Sequence, residues 1–178
     1  MKHLIFILAF VLSVPTSIGQ TEDNDTLYRV VIETEEFPYT LSGYVNAIGD
    51  TVIPLGKYDH CFTEKFIHFA IVYADLLGFM KMVGIDREEK ILFAVESFDN
   101  GPDWIEEGLF RVRKYGKIGY ANKYGEIVIK PQFACADQFQ DGKARVTLDC
   151  ELIPEGEYTF MQSDTWFYID LNGNRLPE

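Results

Sequence analysis

Lys117-Ile118-Gly119-Tyr120-Ala121-Asn122-Lys123-Tyr124-Gly125-Glu126-Ile127-Val128-Ile129-Lys130-Pro131 reads as a β-hairpin: two apolar runs joined by a polar four-residue phrase. Asn at the first turn position accepts a hydrogen bond from the backbone two residues on. Gly three residues later supplies the positive φ of a three-residue loop closing in a G1 bulge. Proline has no N–H for a ladder, so Pro131, and likewise Pro54, is expected to end the pairing. The phrase recurs at Asn46-Ala47-Ile48-Gly49, Asp86-Arg87-Glu88-Glu89 and Asp170-Leu171-Asn172-Gly173, each time before an apolar stretch. The copies starting at Asn46, Asn122 and Asp170 carry both the Asx residue and Gly49, Gly125 or Gly173. The copy at Asp86 has Glu89 where Gly is expected, which predicts a distorted turn.

Outward from each hairpin the pattern continues. An aromatic follows (Tyr58, Phe98, Phe133), then a polar loop, then a third apolar strand: His68–Val72, Gly108–Val112 and Gly142–Val146. Glu107-Gly108 and Asp141-Gly142 are turns before the last two of these strands. The segment 61–77 has no Gly or Pro and would pass for a buried helix on local pattern alone. Its counterparts are β-branched or aromatic segments, so it is read as strand. Leu27-Tyr28-Arg29-Val30-Val31 matches Leu109-Phe110-Arg111-Val112, which makes it a third strand displaced to the N-terminal side. Each unit must bury its apolar face on a neighbour. The expected fold is all-β: one domain over 27–178, built of four tandem three-stranded meanders. The array either stacks openly or closes like a propeller, with the N-terminal strand beside the last unit. The longest interval between copies holds an insertion, Glu151 to Asp164, expected to be a binding loop.

Lys2 followed by the apolar run Leu4–Leu12, then Pro15 and the small residues Ser17 and Gly19, reads as a signal peptide over 1–19. It is too short for a transmembrane span, and an acidic, flexible leader over 20–26 follows. An exported protein, periplasmic, secreted or at the cell surface, is therefore expected. The formal net charge of −12 repels phosphate backbones and anionic lipid, which excludes nucleic acid as a partner.

Catalytic patterns are sparse. No nucleophile elbow, phosphate-cradling Gly-rich loop or His-Glu-x-x-His helix occurs. His60 and His68 lack zinc-ligand spacing, and Asp170-Leu171-Asn172-Gly173-Asn174 departs from a calcium loop, so neither metal nor cofactor is expected. Adjacent strand residues face opposite ways, so His60 and Cys61 cannot act together. Cys61, Cys135 and Cys150 are an odd set. A Cys61–Cys135 bridge and small buried thiols under a loop are the alternatives, the second preferred. The acidic pairs Glu35-Glu36, Glu88-Glu89 and Glu106-Glu107 are those of any acidic surface, although a hydrolase using paired carboxylates is the alternative function. Fourteen Phe, ten Tyr and two Trp are a heavy aromatic load. Phe98, Phe110, Phe133 and Phe139 occupy core positions of the repeat. Trp104, Tyr115, Tyr124 and Tyr158 lie at turns or loops and are the candidate ligand-binding residues.

Gly108-Leu109-Phe110-Arg111-Val112, the hairpin 117–131 with Gln132-Phe133, and Phe139-Gln140-Asp141-Gly142-Lys143-Ala144 resemble the bacterial WG-repeat (WG/KWG β-repeat) family. The signature Trp is replaced by Ile118 and by Ser42, and Trp166-Phe167 lacks the Gly. The resemblance implies an all-β repeat fold in an exported or surface-associated protein, with no common activity. The expected function is a non-catalytic module binding or scaffolding a protein or glycan of the cell envelope.

Overall fold

The structure, a computed structural model, describes residues 25–37, 39–156 and 158–177, without the side chain of Tyr158. The expected signal peptide and residues 20–24 of the leader lie outside this range. Asp25 and Thr26 lie inside it: Thr26 is buried, and Asp25 pairs with Arg87 at 2.9 Å.

Strands account for the regular structure of the described residues. β1 (Leu27–Glu33), β2 (Thr40–Val45) and β3 (Thr51–Tyr58) form a meander, followed by the short β4 (His60–Cys61) and β5 (Lys65–Phe66). β6 (Ala70–Asp75), β7 (Met80–Ile85) and β8 (Ile91–Val95) form a second, followed by β9 (Ser97–Phe98) and β10 (Gly101–Pro102). β11 (Leu109–Lys114), β12 (Lys117–Asn122) and β13 (Ile127–Phe133) form a third. Then come β14 (Cys135–Ala136), β15 (Lys143–Thr147), a hairpin of β16 (Glu151–Glu155) and β17 (Tyr158–Gln162), and β18 (Phe167–Asp170). The segment 61–77 is strand and turn, although its main strand starts at Ala70 rather than His68.

Among the described residues every pairing is antiparallel, and no sheet closes into a barrel. β1 has β2 on one side and β5 on the other, so it does not sit beside the last strand as the closed alternative required. The second and third meanders fuse into one seven-stranded sheet through β8 and β11. The core is shared between consecutive units. One cluster joins Tyr44, Ile53 and Phe66 to Val72, Val83 and Ile85. A second joins Phe93 and Val95 to Phe110 and Val112. A third joins Ile118, Tyr120 and Phe133 to Ala144, Val146 and Ile169.

Five sequence expectations need correction. Pro54 and Pro131 do not end their strands. The chain bulges around each, and pairing resumes at Ser42 with Tyr58 and at Ile118 with Phe133. The Glu89 turn is not distorted: Glu89 takes φ 61° and donates its N–H to the Asp86 carbonyl, as Gly49, Gly125 and Gly173 do to theirs. In all four turns the Asx side-chain oxygen accepts two further backbone N–H bonds. Cys135 is not a free thiol; it is bonded to Cys150, and Cys61 alone is free and buried. The 151–164 insertion is not an irregular loop but a β-hairpin. Phe98 lies outside the core, 40% exposed, because β9 leaves the main sheet to pair with β10.

Candidate functional site

Two tight turns build the floor of the site. Glu106 and Leu109 exchange backbone hydrogen bonds around Glu107 (φ 52°) and Gly108 (φ 85°). Gln140 and Lys143 do the same around Asp141 (φ 53°) and Gly142 (φ 76°). Positive φ at both central residues is the type I′ geometry, for which Asx-Gly and related pairs are suited. The Glu107 carboxylate accepts the Gly142 N–H at 2.9 and 3.0 Å from its two oxygens, lacing the turns together. Glu106 and Gln140 thus hold equivalent positions before equivalent strands.

A cleft of about 720 Å³ opens over these turns, lined by Ser97, Phe98, Glu106, Arg111, Asp137, Gln138, Phe139, Gln140 and Met161. Phe98 comes from β9 and Met161 from β17, so the 97–107 segment and the inserted hairpin both contribute. Behind the floor, buried Asp103 accepts three bonds from Arg111: the backbone N–H at 2.7 Å, Nε at 3.0 Å and Nη2 at 2.6 Å. It also accepts the Gln138 amide at 2.9 Å. Burial lowers the Arg111 pKa, but Asp103 outweighs that and holds it above its ordinary value. Arg111 also donates to the Ala136 carbonyl. The Asp137 carboxylate accepts Arg145 Nε at 2.8 Å. A second cleft of about 590 Å³, lined by His60, Phe62, Tyr73, Met82, Ser97 and Asn100, shares Ser97 with the first. Burial, then the charge of Arg29, hold His60 there below its usual pKa.

The candidate aromatics are dispersed. Trp104 is 57% exposed and packs edge-on against Phe98, with centroids 5.2 Å apart, so it backs one wall of the cleft. Tyr124, 49% exposed, sits against His68 at 5.7 Å. Tyr115, 94% exposed, projects from the β11–β12 turn, where its φ is 52°. The Tyr158 side chain lies outside the described residues. No ring contact joins any two of Trp104, Tyr115 and Tyr124. The sequence reading missed Gln138, Gln140 and Met161, and it set Glu106 aside as ordinary surface charge. The two Gly-containing turns before homologous strands were the signal that could have placed Glu106 beside Gln140.

Cys61 is buried, and burial pushes its thiol up, keeping it protonated. No group of three His, Cys, Asp or Glu fit to hold a metal ion occurs among the described residues.

Antiparallel meanders whose cores interlock define an all-β protein with a lined surface cleft. Residues 118–149, from β12 through β15, match the family model described as WG containing repeat, and over this segment the chain is similar to that family. No curated protein and no solved structure matches the chain. No helix of the described residues is long and apolar enough to cross a membrane.

Proposed function

We propose that this is an exported, non-catalytic binding module, built of four WG-type units, that engages a protein or glycan of the cell envelope through the 720 Å³ cleft. The observation carrying this reading is the cleft itself: apolar surface from Phe98 and Met161 beside Arg111 and Gln138, polar groups that Asp103 holds in place. Such a mix of contact area and fixed polar groups is what recognition sites use. Four turns with the same side-chain hydrogen bonds support the four-unit organisation. The Cys135–Cys150 disulfide supports export, since such bonds persist in oxidising compartments. N-terminal sequencing of the protein recovered from its native host checks the address, with Gln20 the expected first residue. Pull-down from envelope extract and a glycan array, each run with wild type and Phe98→Ala, check the site. Loss of capture in the variant supports it, and equal capture by both removes the cleft from the account.

One observation favours a hydrolase: Glu106 and Asp137 line the same cleft. A glycosidase needs two carboxylates free to exchange protons across a bond. Asp137 is engaged by Arg145, which leaves the binding reading preferred. Turnover of a glycan substrate that disappears in Glu106→Gln would reverse that preference.

A further inference from the structure

Resting on the binding reading of this cleft, we propose that its occupant is a protein segment presenting a lysine side chain, with the ammonium at Glu106 and the aliphatic stem between Phe98 and Met161. The charges around the cleft pair off. Arg111 is held by Asp103, and Arg145 by Asp137. Glu106 is half-buried, and no hydrogen bond or ion pair reaches its carboxylate among the described residues. The cleft therefore carries one uncompensated negative charge on a chain already at −12, which selects a cation and rejects an acidic ligand.

The neighbouring groups select an ammonium over a guanidinium. Gln138 donates its amide nitrogen to Asp103, leaving its oxygen as an acceptor. Gln140, at the position equivalent to Glu106, lines the same cleft and carries another amide oxygen. A carboxylate and two amide oxygens offer three separate acceptors, which suit the three donors of a lysine ammonium. A guanidinium's planar fork favours a bidentate carboxylate. Phe98 and Met161 offer a ring and a polarisable thioether, surfaces on which a methylene stem packs while its charged head reaches a polar group.

The test is an NMR titration of the full mature chain at roughly 0.15 M salt, where long-range attraction is screened. The probes are the capped peptide Gly-Ser-Lys-Ser-Gly, its Nε-acetyl-lysine form, and a glucosamine oligomer carrying the same ammonium on a sugar. The lysine peptide should shift the resonances of Glu106, Phe98, Gln138 and Met161. Acetylation or Glu106→Gln should each weaken it about tenfold, the size expected for losing a charge-assisted hydrogen bond. Glu88→Gln, on a distant exposed turn, should leave it unchanged. Equal binding of the acetylated peptide, an undiminished Glu106→Gln, or shifts mapping elsewhere overturns the inference. Binding of the glucosamine oligomer in the cleft without the lysine peptide also overturns it, while leaving the cleft a binding site. If Phe98→Ala captures every envelope ligand as wild type does, the binding reading itself fails.

Discussion

Gly119 lies where the third meander has no room for a side chain. A Cβ there would sit 2.4 Å from the Ile129 carbonyl oxygen and 2.6 Å from the Pro131 nitrogen, both backbone atoms of the bulge. Gly43 meets the Ile53 carbonyl in the same way at 2.6 Å. The second meander has Val83 at that position and no proline in the strand opposite, so glycine and proline bulge occur together. Gly119→Ala should destabilise the fold by about 3 kcal/mol, the upper range for overpacking, seen as a lowered denaturant midpoint. Glu89 shows the opposite solution. Its positive φ is unfavourable by about 1 kcal/mol, and its carboxylate offsets this by accepting Lys57 Nζ at 2.6 Å and the Tyr58 hydroxyl at 2.7 Å. Burial raises the Glu89 pKa, but those two bonds outweigh it and hold the group below its ordinary value. A depressed folded pKa stabilises above the unfolded value and is lost as pH falls through the folded one. Glu89→Gln should therefore cost about 1 kcal/mol at neutral pH. The gap to wild type should close as pH drops below roughly 4.3. Denaturation curves at several pH values check both.

At the scale of the element, the β16–β17 hairpin is the one that depends on its attachment. Two strands alone are marginal in water, and Leu152, Ile153 and Phe160 are exposed along it. Its base is fixed twice. Cys150 is bonded to Cys135 of β14, and Thr147, Ser163 and Thr165 hydrogen-bond one another at 2.9 to 3.1 Å. The disulfide closes a loop with a sequence separation of 15, for which chain entropy gives about 3 kcal/mol. Cys150→Ser should lower stability by about that amount. Hydrogen exchange should then accelerate over 151–162 more than over β12, and the Phe98 wall should lose its Met161 neighbour. The sequence marked this segment as an insertion, yet it did not show a hairpin, because its strands lack the Asx-x-x-Gly turn that made the others readable. The Cys135 partner was equally hidden. Cys61 and Cys135 follow repeat aromatics, but pairing sets Cys61 opposite Val72 and Cys135 opposite Thr147. Since Val72 and Val146 are equivalent, Cys61 corresponds to Ala136.

For the whole molecule, β11 is the link. Leu109 belongs to the cluster with Tyr120 and Ile169, whereas Phe110 and Val112 belong to the cluster with Phe93. Its two faces are buried in different clusters, and β8 to β11 pairing makes the second and third meanders one sheet. The described body should therefore unfold in one transition, with calorimetric and van't Hoff enthalpies equal. Two resolved transitions would show the clusters to be independent.

The sequence by itself determined the four Asx turns and the strands that flank them. Alternating apolar runs, Asx side chains that bond their own backbone, and glycines or type I′ pairs at positive φ are local chemistry, and they act wherever the chain lies. The cleft was decided only by tertiary structure. Phe98, Glu106, Gln140 and Met161 come from separate strands and turns and meet because β9 peels away, two turns are laced by Glu107, and a disulfide anchors the hairpin. Each of these is a contact between segments, and a contact between segments leaves no period in the chain that makes it.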